Sequence, residues 1–290
     1  MSAPTALPDH ATGPSCVPGA PAVLHPNVRR LTAPNPSMMT GPGTNTYLVG
    51  DDDAVVVIDP GPPMTAHLEA VVNAIGDRAV AGVCVTHHHR DHAPAARLLA
   101  DQVGAPVVGH GHALLQVDTP VREGATLTAG SVTLTAWHTP GHASDHLCFH
   151  AATIGWLFTG DHLMQGSTVV IRPPDGDLGA YLASVARVRD DTTLRRLAPG
   201  HGRVLTSPSL VASEVLEHRA ARASVVVDAL RTHGPGTAAA LRPFAYPDVG
   251  AERDQVATAT TWAHLLALVD DGRATSSSTR HDPDAVFSAA

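Results

Sequence analysis

The chain has 290 residues, of which 43% are hydrophobic and 16% charged, so it can build one large domain and has room for a second, smaller one. It contains no lysine, and its 19 arginines against 27 acidic residues give a formal net charge of −8. Enzymes that act on nucleic acids draw much of their affinity from a basic surface, so this acidic balance disfavours a nucleic-acid partner.

The first 25 residues predict a disordered leader. They are rich in proline and lack both a basic start and an unbroken apolar core, so they do not read as a secretory signal. No run of about eighteen apolar residues predicts a membrane span. Cys84 and Cys148 lie in apolar, strand-like stretches and Cys16 in the leader, a usage that favours buried thiols over disulfides. We therefore expect a cytoplasmic protein with no membrane partner.

The segments that follow predict alternating strands and helices. The stretches "TNTYLVG" and "DAVVVIDPG" predict a hairpin across "DDD", and "MTAHLEAVVNAIG" predicts a helix. The apolar run "AVAGVCV" predicts a buried strand of parallel-sheet type, and "APAARLLADQVGAP" an amphipathic helix that ends near Gly104. Further along, "ATLTAGSVTLTAWHT" predicts alternating strands and "LGAYLASVARVRD" a helix.

The loop between that buried strand and the amphipathic helix reads "THHHRDHA". His87 and His89 are two residues apart, so an extended backbone places them on one side, whereas Asp91 and His92 lie on the turn into the helix and face a second point. Imidazole and carboxylate are ligands for zinc, manganese or iron(II), and no thiolate is needed. The alternative is a solvated histidine-rich loop, which would need no partners elsewhere in the chain.

Three later stretches supply such partners. His142 follows a Thr-Pro-Gly turn in "WHTPGHASDH", Asp161 follows an apolar run in "WLFTGDH", and His201 lies in "APGHG". Each is a polar residue delivered at the end of a predicted strand. Together with the first loop they provide five histidines and two aspartates, enough for two metal sites that share one carboxylate.

The order of "THHHRDH", "TPGH", "FTGDH" and "PGHG" resembles the metallo-β-lactamase superfamily over about residues 45–204. The stretches "GPGTNTYLVG" and "GDHLMQGSTVVIRPPDGDLGAYLASV" and a tail with "HLLALVDDGRA" resemble the lactamase-beta-like-two hydrolases, relatives of glyoxalase II. This resemblance implies an α/β fold, a four-layer αββα sandwich of two mixed sheets with a dinuclear site at one edge. It also implies a small C-terminal helical domain of winged-helix type.

The resemblance also implies roles for individual residues. The first metal would be held by His87, His89 and His142, the second by Asp91, His92 and His201, with Asp161 bridging the two. The expected cofactors are two Zn²⁺ ions, with Mn²⁺ or Fe²⁺ as alternatives, and they would activate a bridging hydroxide that attacks a carbonyl.

Other residues near these ligands are candidates for catalysis and substrate binding. Asp91 is expected to orient the nucleophile and His146 to protonate the leaving group as a general acid. The substrate pocket is expected to include Ser167, Thr168 and Tyr181.

The domain organisation predicted from these patterns has four parts: a leader over 1–25, a catalytic domain over 26–207, a winged-helix-like domain over 208–275 and a disordered tail over 276–290. The last predicted helix of the small domain ends in Asp270 and Asp271, which a nucleic-acid reader would avoid. The expected role of this domain is therefore to wall the site, although Arg219, Arg222 and Arg242 leave room for a modest basic patch.

Three functions fit this reading. The favoured one is a dinuclear zinc hydrolase that acts on a small ester or thioester, such as an acyl carrier thioester. The second is a metal-dependent endoribonuclease on the same centre, which the net charge disfavours. The third is a mononuclear iron dioxygenase of the persulfide-oxidising kind, which uses only two histidines and one aspartate.

Overall fold

The computed structural model describes residues 7–247 and 249–290. Two seven-stranded mixed β-sheets face each other at its centre. The first sheet runs in chain order through β2 (Ala22–His25), β3 (Val28–Thr32), β4 (Asn45–Gly50), β5 (Ala54–Ile58), β6 (Ala79–Cys84), β7 (Val107–Gly109) and β8 (Thr119–Pro120). Its first four strands pair antiparallel and the rest parallel, which confirms the predicted hairpin and the predicted buried parallel strand.

The second sheet is assembled mainly from the later part of the catalytic region. It runs from β9 (Thr126–Ala129) through β10 (Val132–His138), β11 (Leu147–Ala151), β12 (Trp156–Gly160), β13 (Arg196–Pro199) and β14 (Val204–Leu205) to β1 (Ala11–Thr12) at the far edge. Only β12 and β13 pair parallel. Their carboxyl ends therefore point the same way and deliver two site residues to one edge.

Helices cover both outer faces of the sandwich. The described residues form six α-helices: α1 (Thr65–Ile75), α2 (Ala96–Val103), α3 (Leu178–Asp190), α4 (Pro208–His233), α5 (Ala238–Ala245) and α6 (Asp254–Asp270). The amphipathic stretch "SLVASEVLEHRAARASVVVDALRTHG" predicts α4, and the sequence predicts the others except α5, whose internal Pro243 obscures the helical pattern. Among the described residues, no helix combines the length and the apolar character needed to cross a bilayer.

Strand β5 shows why the sequence forms four layers. Val56 and Ile58 point into the core between the two sheets, whereas Val55 and Val57 point outward and pack with Val71 of α1. A strand buried on both faces needs apolar side chains at every position, which explains the continuous valine run. The second sheet is buried in the same way against α3 and α4, so the αββα architecture is confirmed.

The C-terminal region has a hydrophobic cluster of its own. The second half of α4, helices α5 and α6, and two short strands, β15 (Ala274–Ser276) and β16 (Phe287–Ala289), bury a core around Leu230, Leu241 and Leu265. Helix α4 begins at Pro208, the residue near which the sequence predicts a boundary. Whether these elements fold as a separate winged-helix domain stays a prediction.

The structure differs from the predicted disorder at both ends of the chain. Residues 1–6 lie outside the described residues, but strand β1 pairs with β14, and strand β2 pairs with β3. The buried guanidinium of Arg30 in β3 donates to the carbonyl oxygens of Pro14 and Ser15, and these hydrogen bonds hold the N-terminal segment against the first sheet. In the tail, β16 pairs with β15, and Phe287 of β16 is fully buried in the C-terminal core.

Candidate metal centre

The predicted ligands meet at one edge of the sandwich because each follows the end of a strand. The histidine loop follows β6, His142 lies in the turn between β10 and β11, Asp161 follows β12, and His201 follows β13. All seven side chains predicted from the sequence are brought together in two adjacent groups. One group holds His87, His89 and His142, and the other holds Asp91, His92, Asp161 and His201.

The first group is a pocket of three imidazoles. His89 Nδ1 lies 3.0 Å from His87 Nε2 and 2.9 Å from His142 Nε2. On the outer side, His142 Nδ1 donates to the carbonyl oxygen of Val170 at 2.6 Å, so its Nε2 carries a lone pair that points inward. His87 Nδ1 lies 3.0 Å from Thr86 Oγ1, whose own proton is donated elsewhere, so His87 Nε2 also presents a lone pair.

The second group mixes imidazole and carboxylate. His92 Nε2 lies 3.3 Å from His201 Nε2, which is 3.2 Å from Asp91 Oδ2. The outer nitrogens are again occupied, because His92 Nδ1 donates to Asp59 at 2.8 Å and His201 Nδ1 faces the carbonyl oxygen of Gly43 at 3.3 Å. Both Nε2 atoms therefore converge on one point, as in imidazoles whose orientation a backbone or carboxylate oxygen fixes for a metal.

Asp161 stands between the two groups. Its Oδ2 atom is 3.6 Å from His142 Nε2 in the first, and its Oδ1 atom is 3.5 Å from His92 Nε2 and 3.4 Å from His201 Nε2 in the second. Oδ1 is buried and has no well-aligned hydrogen bond from any described residue. Such an orphaned buried oxygen is costly unless a cation faces it, and this position suits a carboxylate that bridges two ions.

Asp59 is a site residue that the sequence reasoning missed. This buried carboxylate ends the "VVVIDPG" run, accepts the Thr86 backbone N–H at 2.8 Å and the Thr86 hydroxyl at 2.7 Å, and holds His92 Nδ1. It thereby fixes both the start of the histidine loop and one of its ligands. A lone carboxylate at the end of an apolar strand is the signal that could have revealed it, because a buried charge requires partners.

Two glycines allow the backbone to approach the site closely. A Cβ at Gly200, just before His201, would lie 2.6 Å from the His92 ring and 2.9 Å from Asp161 Oδ1. Gly160, just before Asp161, has a φ of +46°, and a Cβ there would lie 2.7 Å from Thr86 Oγ1. A side chain at Gly200 would enter the space between His92 and Asp161, and one at Gly160 would collide with Thr86 and His146, so the motifs "PGH" and "TGD" need their glycines.

The electrostatics of the first pocket favour neutral imidazoles. Burial lowers the pKa of His89 to about 4, and the neighbouring His142 adds to that effect. Burial also lowers the pKa of His87 well below its usual range. Above about pH 5 these two rings are therefore neutral and have lone pairs available for a cation.

The second pocket carries the opposite bias. Burial opposes protonation of His92 and His201, but the carboxylates around them prevail, so the pKa of His92 lies well above its usual range and that of His201 rises to about 9. Burial alone would raise the pKa of Asp91, but its contact with His201 lowers that pKa to about 2. Without a metal, protons neutralise this carboxylate cluster.

The residues present fit a pair of divalent ions. Imidazole nitrogens with inward lone pairs and an unpaired carboxylate oxygen are a donor set that zinc, manganese and iron(II) accept. The two groups share Asp161, so two ions could lie side by side at this edge. Asp91 also lines a cleft that opens from the site, and it can contact a molecule bound there.

Two of the predicted functional residues are placed elsewhere. The ring of His146 is fully buried, and its nitrogens contact Thr139 Oγ1 at 2.8 Å and the backbone N–H of Asp161 at 3.1 Å. It therefore positions Asp161 and is not available to protonate a leaving group. Tyr181 is also fully buried and donates to the carbonyl oxygen of His162, so it packs behind the site. Ser167 and Thr168 do line the cleft.

A sequence profile of the Metallo-beta-lactamase superfamily matches residues 39–201, more than half of the chain. The chain belongs to the metallo-beta-lactamase superfamily. All seven converging side chains lie within the matched span.

Curated relatives of this chain include a thioesterase and a lactamase-like protein. An atrochrysone carboxyl ACP thioesterase from Aspergillus chevalieri is 34% identical over 218 residues, which cover 72% of this chain and 67% of that protein. The lactamase-like protein GME11357 from Pestalotiopsis microspora is 30% identical over 216 residues, which cover 72% of this chain and 64% of that protein. The chain thus spans about two thirds of the length of these curated relatives.

A solved structure shows how far the metallo-beta-lactamase fold extends. A beta-lactamase domain protein from Burkholderia ambifaria superposes with a TM-score of 0.78 at 22% identity, over 94% of this chain and 95% of that one. The similarity therefore includes the C-terminal helical region as well as the sandwich. At this identity it supports the fold alone.

Proposed function

We propose that this protein is a dinuclear zinc hydrolase that cleaves a small ester or thioester. The single observation that carries the proposal is the convergence of five imidazoles and two carboxylates into two groups that share Asp161. The relative named as an acyl carrier protein thioesterase supports a thioester as the substrate. When bound, two divalent ions lower the pKa of a water molecule to near neutrality and polarise the carbonyl to be attacked.

The residues of this chain hold and shape that centre. The three imidazoles of the first pocket and the three ligands of the second would each take one ion, with Asp161 shared. Asp91 is partly exposed to the cleft and carries an ionised carboxylate, so it is the group best placed to orient the attacking water. Asp59, Val170 and Gly43 orient the rings from behind.

The endoribonuclease alternative loses its proposed basic patch. Arg219 and Arg222 are 2% and 7% exposed, and Arg242 pairs with Asp254 at 2.9 Å. Buried or paired guanidinium groups cannot neutralise the phosphates of a nucleic-acid backbone. The C-terminal helices are therefore better suited to enclosing the cleft, which Val256 of α6 lines.

The dioxygenase alternative requires only one iron. Its ligand set of two histidines and one aspartate would leave Asp91, His92 and His201 without a function as ligands, although their inward atoms lie close together. Two ions per chain would support the hydrolase over the dioxygenase. A single iron per chain, together with oxygen uptake that depends on a persulfide, would overturn the hydrolase proposal.

The deciding experiment starts from protein purified without added metal. Elemental analysis should give close to two ions per chain, and the protein should then be assayed in parallel on thioesters, lactones, single-stranded RNA and nitrocefin. We expect hydrolysis of a thioester or ester and no cleavage of RNA. His233→Ala is a matched control because this histidine stacks on Phe244, away from the site, and should keep both metals and full activity.

A further inference from the structure

The cleft beside the metal centre has one apolar, adaptable wall. Its volume is about 930 Å³, which is large enough for a drug-sized molecule. Three of the five methionines of the chain line it, Met38, Met39 and Met164, together with Val169 and Val256. Met38 and Met39 are 58% and 52% exposed, an unusual position for apolar side chains. Flexible thioether side chains adapt to apolar ligands of varied shape, so this wall suits an acyl group.

Three arginines from separate segments also line this cleft. Arg90 lies in the histidine loop, Arg172 lies two residues after Val170, whose carbonyl oxygen accepts from His142, and Arg253 ends the 3₁₀ helix Ala251–Arg253 before α6. All three are exposed, and within the described part of the chain no carboxylate lies within ion-pairing distance of any of them. Arg253 Nε contacts Met38 Sδ at 3.2 Å, which joins the arginines to the apolar wall.

The carboxylates near these arginines are committed to other partners. Asp91 and Asp161 face the histidines of the metal centre. Asp175, which also lines the cleft, accepts the Ser144 hydroxyl at 2.5 Å and the Ser144 backbone N–H at 3.2 Å. The guanidinium groups therefore remain available to a ligand.

The ion pairs of other arginines provide a comparison. In this acidic chain Arg97, Arg187 and Arg280 form ion pairs with aspartate or glutamate. The three cleft arginines form none with any described residue, so their guanidinium donors can face a ligand, and the carboxylates that line the same cleft are engaged elsewhere. A guanidinium group binds planar oxyanions through paired hydrogen bonds, so these donors suit a carboxylate or a phosphate.

We propose that the cleft binds an anionic acyl substrate, with the apolar acyl body against the methionine wall and an oxyanion group on Arg90, Arg172 and Arg253. The proposal rests on the proposed hydrolase function and names its substrate class. The oxyanion is either a carboxylate on the acyl group or a phosphate on the thiol side of the ester. RNA also carries phosphates, but none of the described residues that line the cleft is a phenylalanine, tyrosine or tryptophan that could stack on bases.

The test compares four thioesters on the metal-loaded enzyme. Octanoyl and ω-carboxyoctanoyl esters of N-acetylcysteamine differ only in an acyl carboxylate, and octanoyl esters of pantetheine and phosphopantetheine differ only in a phosphate. We expect kcat/KM to be at least about tenfold higher for one charged substrate than for its neutral partner, the scale of one charge-assisted hydrogen bond. The pair that shows the preference identifies the source of the oxyanion.

Variants then assign the preference to the arginines. Arg90→Gln, Arg172→Gln and Arg253→Gln should each raise KM for the preferred charged substrate by about tenfold, with kcat and the neutral substrate changed by less than about threefold. Arg231→Gln is the control, because Arg231 is exposed at the end of α4 and lies outside the cleft. Arg253→Lys should recover part of the loss.

Binding of non-hydrolysable thioether analogues, measured by calorimetry, separates this inference from the proposed function. Hydrolysis with no preference for charge, or arginine variants that behave like wild type, would overturn the inference and leave the hydrolase intact. Arginine-dependent binding of the charged thioether without hydrolysis of any ester would support the inference and overturn the hydrolase function. Competition by single-stranded RNA at physiological salt would overturn the inference in favour of a nucleic-acid ligand.

Discussion

The two pockets of the candidate metal centre both draw side chains from the histidine loop and share one aspartate, but they differ in charge. The first consists of three imidazoles, and burial keeps His87 and His89 neutral. The second contains Asp91 and backs onto Asp59, so its histidines hold protons when no metal is bound. A metal entering the first pocket meets free lone pairs, whereas one entering the second must displace protons.

This difference suggests that the pockets fill in sequence at neutral pH. The first binds an ion without competition from protons on His87 or His89. The second pocket is stabilised more by a divalent cation. Its histidines give up their protons when the metal binds, and the ion then replaces the positive charge that had faced the carboxylates. Asp161 joins the two, so its removal should affect both more than any other single change.

The largest expected effect is therefore that of Asp161→Ala. This change removes the carboxylate that faces both groups, so we expect the metal content to fall from about two ions to about one and kcat/KM to drop by at least about a thousandfold. Elemental analysis and steady-state kinetics on the same preparation measure both. Asp77→Ala, at an exposed aspartate between α1 and β6, is the control. A variant that keeps two ions would show that Asp161 is not the bridge.

Next in size is the pH dependence of metal binding to the apoprotein. The raised pKa of His201, about 9, means that a proton must leave this ring before a metal binds, so affinity for the second ion should rise as pH increases up to about 9. Each displaced proton corresponds to about tenfold per pH unit, so the proton on His201 alone gives about a hundredfold between pH 7 and 9, and a proton displaced from His92 steepens the dependence. Affinity for the first ion should be nearly constant over that range.

Competition with a chromophoric chelator at several pH values gives both affinities. Asp91→Asn provides the assignment, because it weakens the second pocket and leaves the three imidazoles untouched. Equal pH dependence of the two ions would contradict the charge difference between the pockets.

A smaller effect is expected from Asp59→Asn, which alters only the support of the second pocket. The amide has one acceptor oxygen, so it cannot accept from the Thr86 backbone N–H, the Thr86 hydroxyl and His92 Nδ1 together as the two carboxylate oxygens do, and the support of the His92 ring is weakened. Affinity for the second ion should fall by about 10- to 100-fold, the usual cost of removing such a partner, while that for the first changes little. Asp51→Asn is the matched control, since Asp51 accepts backbone N–H groups far from the site.

The smallest effects are expected from replacing the two buried cysteines. These variants test whether a thiol acts as a covalent nucleophile. Burial raises the pKa of Cys148 to about 12 and that of Cys84 further above its usual range, so neither supplies a thiolate at neutral pH. Cys84→Ala and Cys148→Ala should leave kcat within about tenfold of wild type, a change of at most about 1.4 kcal/mol in the activation barrier. An acyl adduct trapped on either cysteine, or on Ser167, would contradict metal-centred hydrolysis.

Local sequence motifs predicted most of the strands and helices and all seven candidate metal ligands. The order of strands and helices is visible because apolar periodicity is a local property, and the ligands are visible because each follows a strand end beside a turn signal. The site residue that escaped, Asp59, acts through contacts with Thr86 and His92, 27 and 33 positions away in the chain. No local pattern records such a contact.

The sequence by itself determined which histidines and aspartates follow strand ends, because strand ends and glycine turns are encoded where they occur, and its resemblance to the metallo-β-lactamase superfamily implied the αββα sandwich with these residues at one edge. Only the tertiary structure decided which polar residues face the cleft. It buried His146, Tyr181 and Arg219, and it placed Arg90 and Arg253, 163 positions apart in the sequence, on the lining of one cleft. The physical reason is that burial and convergence depend on how distant segments pack, and a side chain's type does not fix its neighbours.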